Sequence, residues 1–399
     1  MADLEWLIIG GGIHGTHLAL ALVCGAGVEH DQIRVLDPQP QPIARWKECV
    51  ANCGMTFLRS PGVHHLDLDP KALTRFAKTE KGRQCEPPKG IYWRPSVELF
   101  HTHVEELVMQ HGLAKLWCAG RAIGLERVAA GWRVAIEAAG KQTAIVARHV
   151  LLAMGAADQP AWPTWAGQIK DAGAPIWHLY EHGFVRSELN EWQHAVVIGQ
   201  GISAVQAALA LAQQAPGQVT LLQRRAAQVV PFDSDPCWMG PKCQNGFAKE
   251  PNYTRRRTII RAARHRGSIP DYVACQLRRA VSAGALVVQH GEVQQAQIDG
   301  QIELVVGTWS IVSDCVLLAT GFAQQRPGGA WIDRAIAAHH LPVAPCGYPI
   351  VDHSLCWAEG LFVSGPLAEL EIGPVSRNIA GARQAAIRIV DWAKHQALA

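Results

Sequence analysis

The chain has 399 residues, of which 49% are hydrophobic and 18% charged, and its formal charge is only +3. That is an ordinary globular balance with room for two domains; it excludes a disordered chain and gives no electrostatic reason to expect nucleic acid as a partner. Eleven scattered cysteines without a CxxC pair or zinc spacing, and eighteen dispersed histidines, point to no metal, so reduced thiols in a reducing compartment are expected.

The first predicted unit starts at Leu7-Ile8-Ile9, an apolar strand running into Gly10-Gly11-Gly12-Ile13-His14-Gly15 and then an apolar helix, Thr16 to Val23. In such a GxGxxG turn Gly10 permits the tight bend, Gly12 lets the backbone approach a pyrophosphate, and Gly15 lets helix pack closely on strand. Ile13 and His14 open the helix, whose unpaired amides face the phosphates. A second apolar run, Ile33 to Leu36, ends at Asp37, which follows Gly15 by 22 residues and is placed to accept hydrogen bonds from an unmodified ribose. No basic region, apolar core and cleavage site of a secretory signal precede this strand, so a cytoplasmic protein is expected. The apolar stretches Leu7–Val23 and Ala195–Ala212 are interrupted where phosphate-binding turns would fall, and read as βα units rather than transmembrane segments.

Cys49 and Cys53 form CxxxC after the acidic strand end, and Asp69-Pro70 is a helix start. Three strand-like runs follow, Ile123–Glu126, Trp132–Glu137 and Thr143–Val146, and then a buried run from His149 to Gly155. Ala156 to Trp165, rich in Pro, Ala and Trp, reads as a crossing between domains.

The grammar then repeats. Ala195 to Ile198 runs into Gly199-Gln200-Gly201-Ile202-Ser203-Ala204, with Ala tolerated at the third glycine position, then the helix Val205 to Gln213 and the strand Val219 to Leu222. This strand ends in Gln223-Arg224-Arg225, where a carboxylate would repel a 2′-phosphate but guanidinium binds it, so NADPH is preferred over NADH. The insertion Pro231 to Tyr253 leads into a basic stretch, Arg255, Arg256, Arg257, Arg261, Arg264 and Arg266. It reads as a solvated helix face, with support for the NADPH phosphate or a docking patch as sharper alternatives. A second meander follows, Val293–Ile298, Ile302–Val306 and Trp309–Val312, closed by Cys315 to Gly321; Ala323 to Gly329 is a second crossing. A last strand, Gly360 to Gly365, and a helix from about Asn378 to His395 return to the first domain. The expected fold class is α/β, with two Rossmann-like, three-layer ββα domains, the second inserted in the first and each carrying a β-meander.

The two fingerprints, Leu317–Phe322 with its likeness to an ATG(F/Y) motif, and the Gly360–Gly365 strand together resemble the two-dinucleotide-binding-domain flavoproteins. The resemblance implies FAD on residues 1–165 and 322–399 and NAD(P)H on 166–321, with further cofactor contacts at Trp46, Gly155, Thr320, Gly321 and Gly365. Within that group the chain is similar to the siderophore-type lysine and ornithine N-hydroxylases, class B flavin monooxygenases, through Trp46, Leu58-Arg59-Ser60-Pro61, the Asp67–Ala77 segment, Arg94-Pro95 and the Gly373–Gly381 stretch. The linker motif of class B monooxygenases is echoed at Pro175 to Tyr180, where His178 fits but Ala174 replaces the glycine and the aromatic follows early.

This resemblance implies that NADPH reduces FAD, oxygen adds at the flavin C4a atom, and the peroxyflavin oxidises nitrogen of a small amine or amino-acid-like substrate. Arg59 and Arg94 would bind a carboxylate or orient NADP, and Asn378 would open a helix whose N-terminus faces the flavin pyrimidine ring. The competing readings are a flavin reductase passing electrons to a quinone, disulfide or protein, and a nucleotide-bound sensor without turnover. A homo-oligomer is left open.

Overall fold

The computed structural model describes residues 2–189 and 191–397. Two parallel sheets organise it. The first has the order Cys356–Ala358, Leu361–Val363, Lys141–Leu152, Leu4–Ile9, Ile33–Asp37, Trp117–Ala119, parallel throughout except for its outer hairpin. The second has the order Val287–His290, Val219–Gln223, Ala195–Ile198, Cys315–Leu318, Ile176–His178, parallel throughout. Such strands are covered on both faces, which is why they read as unbroken apolar runs: Leu7, Ile8, Val196 and Val197 are all fully buried.

Both expected meanders are present, but they attach differently. In the first, the runs Thr143–Val146 and His149–Leu152 merge into one strand, Lys141–Leu152. Its first half pairs antiparallel with Gly131–Ala138 and its second half parallel with Leu4–Ile9, Ala147 facing both Trp132 and Leu4. The second meander, Gln295–Asp299, Gln301–Val306 and Trp309–Ser313, stands as a separate three-stranded sheet. The strand Trp117–Ala119 was not anticipated; it is too short for alternation to register.

The helix Ile13–Leu20 runs on through a π-helical turn, Ala21–Gly25, and packs on the closing helix Ile379–Ala397. Trp6, His149, Phe362 and Trp392 interlock where that helix meets the sheet. The helix Ala44–Cys53 crosses to the second half and packs on Ile202–Gln214. Asn52 secures the crossing, its amide donating to the carbonyls of Leu179 at 3.2 Å and Phe184 at 2.7 Å.

Two expectations are corrected in the insertion. The basic stretch is a solvated face only in part, with Arg255, Arg261 and Arg266 exposed. Arg256 and Arg257 are buried on the helix Tyr253–Ala263, Arg256 paired with Glu371 at 3.0 Å and Arg257 with Glu369. Glu369 also binds Arg377 at 2.6 Å, and Arg264 donates to the Pro374 carbonyl at 2.9 Å. With Phe247, Ile260, Tyr348 and Leu370 in one apolar cluster, the insertion is bolted to the chain's return segment, far along the sequence. Nor are all thiols reduced: Cys237 and Cys243 form a disulfide, their Cα atoms 5.3 Å apart. The bond joins the short helix Pro236–Met239 to the next one, Pro241–Ala248, at a spacing that matches neither CxxC nor zinc patterns. Among the described residues, no helix is long and apolar enough to cross a membrane.

Candidate functional site

At the first fingerprint the three glycines have three different reasons to be glycine. Gly10 has φ +106, and a Cβ there would lie 2.8 Å from the Ala153 carbonyl oxygen; at Gly15 a Cβ would lie 1.7 Å from the Gly10 oxygen. Both are demanded by the fold. Gly12 is not: its φ is −72 and nothing lies within 4 Å of the place a Cβ would take. It caps the helix N-terminus without a side chain, beside open space. This is a cradle that a side chain would fill, and it fits a pyrophosphate. Asp37 ends the neighbouring strand and accepts from the Gly11 amide at 2.6 Å and the Gln39 amide at 2.7 Å. These bonds fix its carboxylate beside the cradle, and each oxygen retains a lone pair for a ribose hydroxyl. Burial pushes its acid strength the other way, raising the pKa.

His14 and Gly365 meet on the far side of this turn. His14 Nδ1 shares a hydrogen with Ser364 Oγ at 2.8 Å, and burial lowers its pKa to about 4, so the ring is neutral. Gly365 has φ +64 and its carbonyl accepts from Ser376 Oγ. Asn378 caps the closing helix, Oδ1 accepting from the Gly381 amide at 3.1 Å. The fingerprint helix, the Ser364–Gly365 turn and the N-terminus of the closing helix therefore converge. Trp46 packs against Phe100 and His101, ring centroids 5.1 and 5.4 Å away.

The second fingerprint repeats the backbone with other chemistry. Gly199 has φ +153, with a Cβ clashing at 2.6 Å with the Ala319 oxygen, and Gly201 caps the helix Ile202–Gln214. Ala204 fills the third glycine position, fully buried. The turn at Gly267 comes within 3.4 Å of where a Gly201 Cβ would be, forming one lip of this cradle. Arg224 and Arg225 are exposed at the strand end, and among the described residues Arg224 is held only by Glu292 at 3.4 Å.

Between the cradles the two crossings run antiparallel. Ala161 donates to the Gly321 carbonyl at 2.9 Å, and Ala323 to that of Gln159 at 2.8 Å. Thr320 Oγ1 donates to the Ala161 carbonyl at 2.5 Å and meets His178 Nε2 at 3.1 Å. Gly155 precedes this stitch, with no atom closer than 3.9 Å to its Cβ position. Tyr180, which sequence reasoning passed over, stacks on Phe322 at 4.5 Å and bonds Ser203 Oγ at 2.5 Å, tying the crossing to the second helix N-terminus. Its early place in the linker motif was the available signal. Cys53 is buried against the same hydroxyl at 3.6 Å and Cys49 is unpaired; burial raises both thiols, Cys49 to about 12. Neither is a ready thiolate.

Arg59 and Arg94 lie together and share no hydrogen bond with Asn378. Arg59 donates to the carbonyls of Val230 at 3.0 Å and Phe232 at 2.7 Å and to Ser268 Oγ at 2.9 Å. Arg94 donates to the Arg59 carbonyl at 3.3 Å. Among the described residues no group of three or more His, Cys, Asp or Glu side chains could hold a metal ion.

The family described as pyridine nucleotide-disulphide oxidoreductase matches over residues 4–235. No curated protein sequence matches. Among solved structures, the ornithine hydroxylase of Pseudomonas aeruginosa is similar with a TM-score of 0.76 at 16% identity, covering 99% of each chain. An ornithine N-hydroxylase of Kutzneria sp. 744, its structure holding reduced FAD, NADP+ and L-ornithine, has a TM-score of 0.76 at 14% identity, over 99% of this chain and 100% of that one. The bacillithiol disulfide reductase of Bacillus cereus has a TM-score of 0.63 at 15% identity, over 99% and 100%. At these identities the likeness is one of fold, shared by oxygenases and a reductase alike.

Proposed function

From the premise that this chain belongs to the pyridine nucleotide-disulphide oxidoreductase family, we propose that it is an FAD- and NADPH-dependent monooxygenase oxidising nitrogen of a small amine or amino-acid-like substrate. It is an oxidoreductase, and its two cradles are built for two dinucleotides. The observation that carries the cofactor assignment is their contrast, Asp37 beside an open glycine at one and Arg224 and Arg225 at the other, and the oxygenase step is proposed on the fold shared with ornithine N-hydroxylases. FAD belongs to the first and NADPH to the second, on an FAD domain of residues 1–165 and 322–399 and an NADPH domain of 166–321.

The bound flavin supplies hydride acceptance and oxygen chemistry. The chain's own residues bind and orient. Gly10, Gly12, Ile13, His14 and Gly15 present the helix N-terminus to one pyrophosphate; Gly199, Gly201, Ile202, Ser203 and Ala204 present the other. Asn378 and the helix it caps set a positive dipole end near Gly365, which would favour negative charge on a flavin ring held there. Thr320 and Gly321 hold the crossing that Gly155 precedes, and Trp46, packed on Phe100 and His101, is assigned with them to cofactor contact. The amine must arrive neutral to act as a nucleophile, which an apolar, desolvated pocket favours. Against a disulfide reductase working through the Cys49 and Cys53 pair stands the burial of Cys53, which keeps it from an external disulfide.

The test is anaerobic reduction of the purified, FAD-loaded protein by NADPH, followed by oxygen and a panel of amines with hydroxylamine detection. Amine-dependent hydroxylamine is the expected result. Rapid turnover with quinone or disulfide acceptors and no hydroxylamine from any amine would refute the oxygenase reading.

A further inference from the structure

A cavity of about 450 Å³ lies between the turn 89–94 and the segment 229–231, within the size range of small-molecule sites. Rings of Phe57, Tyr92 and Tyr272 line it, and Ile91 stands at its lip, 92% exposed. Arg94, only 4% exposed, contributes the buried charge. Its guanidinium lies 4.9 Å from the Tyr92 ring centroid and 5.4 Å from that of Tyr272. Its bonds to protein are two long ones, 3.3 Å each, to the carbonyls of Arg59 and Pro231.

Whereas the half-buried Arg264 is held by the Pro374 carbonyl, the two other arginines less than a tenth exposed are paired with carboxylates, Arg256 with Glu371 and Arg257 with Glu369. Among the described residues Arg94 has no such partner, and neither has the adjoining Arg59, on which Asp233 acts only from a distance. A buried, uncompensated cation is costly, and ring faces offset only part of that cost. The other titratable groups of the cavity do not supply the missing charge. Lys89 lies over Phe57 and is paired with Glu86 at 2.5 Å. Burial raises Tyr272 to about 12, so it is neutral, its hydroxyl donating to the Phe57 carbonyl at 3.3 Å. Asp271 is an exposed carboxylate of the rim, repelling an anion from that end.

We propose that this cavity binds an aromatic carboxylate, its carboxylate against Arg94 and its flat body between the rings of Phe57, Tyr92 and Tyr272. None of the residues lining this cavity belongs to the groups assigned to the flavin, so the aromatic acid is a ligand of the proposed oxygenase at a site of its own. Charge from Arg94 supplies orientation, and the rings supply area with little loss of side-chain freedom.

The test is equilibrium binding of 3-phenylpropionate and its uncharged amide, 3-phenylpropionamide, to the full-length FAD-loaded protein by calorimetry. The acid should bind at least about tenfold tighter than the amide, the scale of a charge-assisted hydrogen bond. Arg94→Gln should abolish that preference and Arg94→Lys retain part of it. Ile91→Trp, at a fully solvated position that does not burden folding, should block both ligands by filling the lip. Equal binding of acid and amide to the wild type, or a preference that survives Arg94→Gln, would overturn the proposal; unimpeded binding to Ile91→Trp would place the ligand elsewhere and overturn it too. Binding requires neither NADPH nor oxygen, so the two readings fail separately. Arg94-dependent acid binding without hydroxylamine formation removes the oxygenase and keeps the site; hydroxylamine formation without acid preference does the reverse.

Discussion

The three glycines of the first fingerprint separate what a fold needs from what a ligand needs. Gly15→Ala would drive a methyl into the Gly10 carbonyl, 1.7 Å away, and is expected to abolish soluble expression. Gly12→Ala meets no neighbour, so the apoprotein should unfold within about 1 kcal/mol of wild type while FAD affinity collapses. Thermal unfolding of the apoprotein beside an FAD titration checks both; a Gly12→Ala protein that retains FAD at wild-type affinity would remove the cofactor from this cradle. At the second strand end, Arg224 is 70% exposed and its tie to Glu292 is worth little, so Arg224→Ala should leave stability unchanged. The same change should raise KM for NADPH about tenfold or more and leave NADH unaffected, read from flavin reduction kinetics. Residues of this kind are legible in a sequence because their roles depend on local backbone and on offsets along one βα unit. Tyr180 is not: its partners Ser203 and Phe322 are distant in the chain.

Among the elements, the helix Tyr253–Ala263 changed most between expectation and structure. Its arginines at successive positions suggested a solvated face, since charge without visible partners normally faces water. The partners are Glu369 and Glu371, more than a hundred residues later, and they turn a basic run into an interlock between insertion and return segment. Arg257→Met leaves Glu369, 1% exposed, with Arg377 alone. Breaking a buried pair in this way costs about 3–5 kcal/mol, and the surviving partner puts this case at the lower end. Urea unfolding of the variant measures it; a change below about 1 kcal/mol would show that the pair is dispensable. The merged strand Lys141–Leu152 carries the same lesson in backbone form. Its polar alternation and its apolar run look like two elements because its two halves face different neighbours.

For the molecule as a whole, pH sensitivity follows from its histidines. Burial lowers His14, His17, His64, His101, His103, His149 and His178 each to about 4, against 6.5 in an unfolded chain. Between those values the unfolded state binds protons that the native state refuses, so this contribution is complete above about 6.5 and is lost as pH falls toward 4. The melting temperature should therefore drop steeply across that window, and His149→Phe, within the ring cluster of Trp6 and Trp392, should flatten the drop. A melting temperature independent of pH from 6.5 to 4.5 would contradict the burial of these rings. By itself, the sequence determined the two dinucleotide-binding units, their opposite charge at the strand ends and the repeated meander, because each is written in contiguous residues with a fixed period and offset. Only the tertiary structure decided that the basic insertion is an ion-paired bolt, that Cys237 and Cys243 are joined, and that Arg94 is left without a carboxylate in an aromatic cavity. The first and last of those outcomes depend on which distant segments come within a few ångströms, and the disulfide on how two adjoining short helices pack, and no local pattern encodes either.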